Sequence, residues 1–373
     1  MAASDQIHDV VIVGAGPAGI GVAAALRRIG VQPTLIDRTG IGASFTAWPE
    51  SMRLISPSFT SNQFGLVDLN AVTPNTSPAL SLLEQHPTGV QYAQYLRMVA
   101  DLEGLRVRRG ITVRDVCPDG GNLLVEADFQ AALRARTVVW AAGEAGDPRR
   151  NGFPGAERCV PTIAVRQWDQ HPGGEVVVVG GFESGIDAAV NLVARGRRVT
   201  VLDHHQPWAT VDPDPSRTLS PYTRSRLREA TATGHLDLVG DVHVAAVNAQ
   251  APGYEVLTDD GRSWRSEGPP LLATGFEGSL RQVAHRFAWD ADGLVEVTEQ
   301  ADESTLTPGL FLAGPMLSHR GASFCFIYKF RQRFGVVARA IGQRLGIDTS
   351  PLEALRAPGF LLDDLSCCED CAC

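Results

Sequence analysis

Short apolar runs, glycine turns and stretches with apolar residues every three to four positions alternate along this chain. Val10-Val11-Ile12-Val13 is the first apolar run and predicts a buried parallel strand. Gly14-Ala15-Gly16-Pro17-Ala18-Gly19 follows at once, and Pro17 to Ile29 reads as a helix. Pro17 lacks an N–H and suits a first helical turn. Arg27 and Arg28 complement the helix C-terminus, and Gly30 can end it in a left-handed turn. Thr34-Leu35-Ile36 predicts a second strand that delivers Asp37 and then Arg38. Thr39 to Ser61, with Ser44 and Trp48, has neither helical nor strand period and reads as a long loop, the kind that often carries function. Gly89 to Leu102 predicts a helix, and Arg106 to Val116, which includes Val113, a strand. Leu123 to Glu126 and Thr137 to Trp140 predict further strands, the last running into Ala141-Ala142-Gly143. Pro148 to Pro161 reads as a linker.

The opening pattern then returns. Val176-Val177-Val178-Val179 predicts a strand and Gly180-Gly181-Phe182-Glu183-Ser184-Gly185 a turn. Ile186, Ala189, Val190 and Val193 form one helix face, Gly196 ends it, and Val199-Thr200-Val201-Leu202 leads to Asp203 and His204. The interval from Gly14 to Asp37 equals that from Gly180 to Asp203, 23 positions in each. Pro207 to Pro221 is a stiff excursion, a candidate cleft cover, and Tyr222 to Gly234 a helix. Leu271-Leu272-Ala273-Thr274-Gly275 and Gly309-Leu310-Phe311-Leu312-Ala313-Gly314 are two more strands with small-residue turns. Phe330 to Leu345 predicts a last helix, and the chain from Pro351 onward reads as a separate tail.

Each part of the repeated pattern has a physical task. Gly14 permits a tight turn, Gly16 lets backbone approach a pyrophosphate, and Gly19 lets helix and strand pack closely. The helix N-terminus attracts phosphate charge, and the acid can accept from a ribose hydroxyl. The fold class is therefore α/β, with two Rossmann-like dinucleotide-binding units and a cysteine-rich tail.

Composition narrows the rest. The formal charge of −9 argues against a nucleic-acid surface. No apolar run is long enough for a bilayer span, and Met1 to Asp9 has neither a basic nor an apolar leader region, so a cytoplasmic protein is expected. Seven cysteines in such a chain do not suggest a secreted disulfide framework. Cys367, Cys368, Cys371 and Cys373 crowd into the last seven residues. A bond between adjacent cysteines would be strained and easily reduced. Such thiols suit electron relay or a soft ion such as Cu(I), Hg(II) or trivalent arsenic, and seven residues are short to wrap a tetrahedral zinc.

These motifs resemble the two-dinucleotide-binding-domain flavoproteins, in the group holding thioredoxin-reductase-like enzymes and flavin-containing monooxygenases. The resemblance implies FAD in the first unit and NADPH or NADH in the second. It implies a discontinuous FAD domain (1–155 and 277–349), a nicotinamide domain (156–276) and the tail (350–373). By position, Gly14, Gly16, Pro17, Ala18 and Gly19 would hold the FAD pyrophosphate, Asp37 the ribose, and Arg38 and Val113 the adenine. Ala142 and Gly143 would lie under the cofactor, with Ser44 and Trp48 near its ring system. Gly314 fits the family's final turn, but Pro315 stands where an acid is usual. Gly180, Gly181, Glu183 and Ser184 would cradle the nicotinamide dinucleotide, and Thr274 and Gly275 would close that unit. Phe182 occupies the middle glycine position; relatives resembling bacillithiol-disulfide reductases share the Gly-Gly-x-x-Ser form. Asp203 favours NADH, whereas His204, His205, Arg197 and Arg198 could receive a 2′-phosphate, so the choice stays open.

Two departures narrow the chemistry. Cys159 has no Cys-x-x-Cys partner, and Ile41 to Met52 holds no cysteine pair. Phe153 and Gly155 fit a monooxygenase fingerprint whose histidine is replaced by Cys159. The Ser-Cys-Cys element resembles the C-terminal pair of mercuric reductases. The leading expectation is an FAD-dependent NAD(P)H oxidoreductase serving a thiol-linked acceptor, a disulfide or a thiophilic metal or metalloid, with the tail cysteines as relay or delivery arm. His319, Arg320 and Lys329 are candidates for the flavin's polar edge. The alternatives are a flavin-dependent monooxygenase and a non-enzymatic flavoprotein that stores or senses metal. Expected partners are a small-molecule or thiol-bound substrate and a soft metal; neither nucleic acid nor membrane is expected, and a homodimer is left open.

Overall fold

The computed structural model describes residues 6–60, 67–128 and 131–365. The expectations for Cys367, Cys368, Cys371 and Cys373 fall outside the described residues. The chain divides into two compact units. Among the described residues, the first comprises 6–46, 57–146 and 278–365, and the second 47–56 and 147–277.

The first unit opens with β1 (Ile7–Val13), the helix Pro17–Arg28 and β2 (Thr34–Asp37). The helix Gly89–Leu102 starts on a reciprocal cap between Thr88 and Gln91. Then come β3 (Val107–Arg109), β4 (Val113–Asp119), β5 (Asn122–Ala127) and β6 (Leu133–Trp140). The sheet order is β3-β2-β1-β6-β5-β4, and the returning strand Leu310–Leu312 pairs in parallel with the end of β6. β1, β2, β3 and β6 are mutually parallel, while β4, β5 and β6 form an antiparallel meander. Val10, Val11 and Ile12 are fully buried, as a strand covered on both faces requires.

Two expected elements divide. Arg106 to Val116 was one strand by pattern, but Gly110 takes φ +77° and separates β3 from β4. The last helix begins with a turn at Ile327–Phe330, passes through Arg331–Arg333 and settles into Phe334–Arg344. It packs on the helix Pro17–Arg28, where a Cβ on Gly21 would stand 1.9 Å from the Phe334 ring. Residues 350–365 are not detached from this unit. Leu352, Leu355, Phe360, Leu361 and Leu365 are buried, and the Phe360 carbonyl accepts from Gly335 N–H at 2.8 Å.

Asp115 ties β4 to the segment Ser279–Arg286, accepting from the Arg286 guanidinium at 2.6 Å and 3.1 Å. Burial pushes its carboxyl upward, yet hydrogen bonds from Arg286, Val116 N–H, Cys117 and His285 hold it well below the usual carboxylate range. The folded value lies below the unfolded one, so this group's stabilisation is present above about pH 3.9 and is lost as pH falls. Urea midpoints measured between neutral and acid pH should show wild type and Asp115→Asn converging as pH drops; parallel curves would refute the assignment.

In the second unit, β7 (Val160–Pro161) and β8 (Glu175–Val179) precede the helix Glu183–Val193 and β9 (Arg198–Leu202). The helix Pro221–Ala232 is capped by Ser220. Then follow β10 (Leu236–Val239), β11 (Val244–Ala249), β12 (Tyr254–Thr258), β13 (Ser263–Ser266) and β14 (Leu271–Leu272). The parallel order is β10-β9-β8-β14-β7, and β11-β12-β13 form an antiparallel sheet. Part of the long N-terminal loop belongs here. The Trp48 carbonyl accepts from Arg166 at 2.6 Å, and Trp168 Nε1 donates to Ser51 Oγ at 3.0 Å. No helix among the described residues is long and apolar enough to cross a membrane.

Candidate functional site

In both units the strand order reverses beside the first strand, so the crevice for a ligand lies at the carboxyl ends of β1 and β6, and of β8 and β14. The two ends are built alike. Gly14 has φ +108° and Gly180 φ +101°, conformations in which L side chains are strained. A Cβ on Gly14 would stand 2.3 Å from the Ala141 carbonyl oxygen, and one on Gly180 2.4 Å from that of Ala273. A Cβ on Gly19 would fall 2.0 Å from Gly14 O, and one on Gly185 1.9 Å from Gly180 O. These glycines are forced by backbone packed on backbone.

The acids match as well. Asp37 accepts from Ala15 N–H at 2.9 Å and from the N–H groups of Thr39 and Gly40 at 2.7 Å. Asp203 accepts from Gly181 N–H at 2.6 Å and His205 N–H at 2.7 Å. Each carboxylate thus holds its own glycine turn. A carboxylate offers about four acceptor positions, so capacity remains for a ribose hydroxyl.

The first crevice fits a dinucleotide. A Cβ on Gly16 would meet nothing within 4 Å. Gly16 caps the helix starting at Pro17 without a side-chain bond, which leaves N–H groups for a phosphate. Ala18 approaches the last turn, 3.4 Å from a Cβ on Gly314, and Gly143 (φ +70°) faces open space. Pro315 supplies no N–H. The Val113 carbonyl, expected at adenine, accepts from the Gln282 amide. Arg38 packs over Gly146, its Nη2 2.6 Å from a Cβ there. Ala142 and Ser44 are exposed, Ser44 on the turn Ala43–Thr46, and Trp48 belongs to the second unit.

The second crevice differs in its cover. A Cβ on Gly181 would stand 2.3 Å from the Trp208 ring, so the excursion after β9 folds over the turn. Phe182 caps the next helix and is 37% exposed, so it leaves the turn instead of filling it. Glu183, expected to face the dinucleotide, turns to the far end of the excursion and accepts from Ser220 N–H and from the Thr223 hydroxyl. Burial raises its carboxyl pKa, with those bonds opposing. Ser184 is half-buried in the same first turn. The Thr274 hydroxyl bonds the Arg149 carbonyl at 3.3 Å, and Gly275 (φ +84°) faces open space. Arg197 and Arg198 fail as phosphate groups. They stand at the start of β9 and the crevice at its end, about 13 Å away along a strand. His204 does lie beside the acid, its ring against those of His205 and His243.

The three side chains suggested for a polar edge each have a partner within the first unit. His319 Nε2 and Asp302 Oδ1 are 2.6 Å apart and both residues are buried; Arg320 pairs with Glu299, and Lys329 lies over the Phe326 ring. Cys159 is buried, which pushes its thiol up to about 12, so it is no nucleophile. Among the described residues no cluster of His, Cys, Asp or Glu could hold a metal. Sequence reasoning missed Trp208 and Gln282; neither sits in a motif. Gly185 carried the available signal, its spacing from Gly180 equalling that of Gly19 from Gly14.

Known proteins share this organisation. The chain is 30% identical over 205 residues to "Indole-3-pyruvate monooxygenase YUCCA1" of Oryza sativa subsp. japonica, covering 52% of this chain and 48% of that one. It is 28% identical over 194 residues to "Bacilliredoxin reductase Bdr" of Bacillus subtilis, covering 52% and 56%. The chain spans about half the length of these curated relatives. Among solved structures, the bacillithiol disulfide reductase Bdr (YpdA) from Staphylococcus aureus superposes with a TM-score of 0.74 at 18% identity, covering 91% of this chain and 99% of that one. The flavin-containing monooxygenase from Stenotrophomonas maltophilia gives 0.71 at 20% identity, covering 92% and 100%. Residues 11–314 match the model of one family along most of the chain, and on that match and the doubled crevice the protein belongs to the pyridine nucleotide-disulphide oxidoreductases.

Proposed function

We propose that this chain is an FAD-dependent NAD(P)H oxidoreductase that delivers reducing equivalents to a thiol-linked acceptor, a disulfide or a thiophilic metal or metalloid. The observation that carries the reading is the doubled crevice, in which Gly14, Gly19, Asp37 and Ala141 reappear as Gly180, Gly185, Asp203 and Ala273 with the same contacts. Bound FAD supplies hydride acceptance from a nicotinamide and electron transfer onward. The protein's own tasks are positional. The uncapped N–H groups after Gly16 take the pyrophosphate, Asp37 takes a ribose hydroxyl, and the open turn at Gly143 lets backbone approach the cofactor. Four cysteines between 367 and 373 favour the thiol-linked acceptor, since thiolates bind soft ions and exchange with disulfides.

Anaerobic titration with NADH and NADPH, followed by thiol counting, tests this. The flavin should bleach, and the wild type should gain titratable thiols that a chain ending at Asp364 does not. No gain would remove the relay. A second reading, a monooxygenase, is favoured by the name of the rice relative. It predicts that NAD(P)H oxidation in air is coupled to an oxygenated product instead of peroxide.

A further inference from the structure

Glu144 is an acid to which the fold gives no partner. It follows the open turn at Gly143, beyond the carboxyl end of β6, and among the described residues no hydrogen bond or ion pair reaches its carboxylate. The residue is half-buried, and burial alone pushes its carboxyl pKa above the ordinary value. A carboxylate drawn away from water without a donor costs the fold. Groups of this kind concentrate at sites where a ligand completes them.

The surrounding turns fix where Glu144 stands. Trp140 and Leu312 are partners in the parallel register of β6 and the returning strand. Glu144 and Met316 each lie four positions past that pair. The two turns meet at Gly278, where a Cβ would stand 2.5 Å from Met316 Sδ and 3.7 Å from Glu144 Cβ. Ser279 N–H donates to the Gly143 carbonyl at 3.0 Å and holds the turn from the same side. Residues 142–146 read Ala-Gly-Glu-Ala-Gly and residues 313–316 Ala-Gly-Pro-Met, so Glu144 carries the one ionisable side chain of these two turns.

Across the sheet the strand ends follow in the order β2, β1, β6, with the returning strand beside β6. Asp37 closes β2 at the place for an adenosine ribose, and the helix N-terminus after β1 is the place for the pyrophosphate. Ala18, in that first helical turn, abuts Gly314. The next strand ends along the same line are those that lead to Glu144 and Met316. In FAD, the segment next to the pyrophosphate on the flavin side is a sugar-alcohol chain, whose hydroxyls are neutral donors.

We infer that Glu144 holds the sugar-alcohol chain of FAD, its carboxylate accepting from a hydroxyl beyond the pyrophosphate. This rests on the reading that the first crevice holds FAD. A carboxylate repels a phosphate, whereas a hydroxyl supplies a donor without adding charge and makes a charge-assisted bond. FAD thus provides what the empty chain lacks at this point, and Glu144 serves affinity without serving the stability of the cofactor-free protein.

The test uses the full chain stripped of flavin. FAD affinity is read from flavin fluorescence, and ADP affinity from its displacement of FAD, so both report the same crevice. ADP has the ribose and the pyrophosphate and lacks the sugar-alcohol chain. Glu144→Ala should weaken FAD about tenfold or more, the size of a hydrogen bond to a charged group, and leave ADP within about twofold. Glu144→Gln keeps an amide oxygen as acceptor and should lose less FAD affinity than Glu144→Ala. Thermal melts of both stripped variants should be no lower than that of stripped wild type. If Glu144→Ala binds FAD as wild type does, or loses ADP as much as FAD, the assignment is refuted and the crevice reading stands. If both stripped variants melt below wild type, Glu144 serves the fold and the assignment is likewise refuted. If stripped wild type takes up no FAD, the crevice reading itself fails and takes the assignment with it.

Discussion

Gly16→Val is expected to give a folded, colourless protein. Gly16 has φ −84° and ψ −169°, open to any residue, and a Cβ there meets no atom within 4 Å. A side chain at that point therefore costs the fold little and occupies the space in which a pyrophosphate must approach the helix N-terminus. FAD affinity should fall about 100-fold or more, near 3 kcal/mol, with the melting temperature of the cofactor-free chain unchanged. Gly19→Ala should behave oppositely. Its Cβ would lie 2.0 Å from Gly14 O, so the helix must move off the turn. That is overpacking against backbone, about 1–3 kcal/mol, and it should appear in the cofactor-free melt before any flavin is added. Visible flavin absorbance and thermal melts of both variants separate the two effects. A Gly16→Val protein as yellow as wild type would show that the first crevice is not the pyrophosphate site.

That contrast also explains why the crevices were legible in the sequence. Gly14, Gly19, Gly180 and Gly185 answer to backbone lying within van der Waals distance, so no other residue serves and the pattern survives as letters. The apolar runs were readable for a similar reason, since strands covered on both faces need continuous burial. What could not be read depends on side chains far apart in the chain. Gln282 reaches the Val113 carbonyl across 169 positions, and no local pattern announces it. Trp208 covers Gly181 from 27 positions away, and the other end of the excursion is held by Glu183, whose place in the motif suggested a role in cradling the dinucleotide. Arg197 and Arg198 had the right charge near the right strand, but a strand's length separates its two ends. The division of Arg106 to Val116 turned on Gly110 alone, whose positive φ outweighed the flanking apolar residues.

Asp302→Asn should cost about 3–5 kcal/mol in urea unfolding of the cofactor-free chain, the size expected when a buried pair loses one partner. Asp302 is fully buried, accepting from Arg333 Nε at 3.0 Å and Nη2 at 2.8 Å and paired with His319. Arg333 is 1% exposed; its remaining donors reach the carbonyls of Leu362 and Glu299. Asparagine keeps the shape and tolerates the φ of +56° at this position, so the loss reports charge and not backbone strain. The consequence extends to the crevice. The Asp302 carbonyl accepts from Leu312 N–H at 2.8 Å, and that strand leads straight to Gly314. A second variant guards the interpretation. Asp302→Asn combined with Arg333→Met removes both charges and should lose less than Asp302→Asn alone, because no guanidinium is then buried without its acid. If the single variant loses under about 1 kcal/mol, as exposed pairs do, water reaches Arg333 and the network does not anchor the last strand.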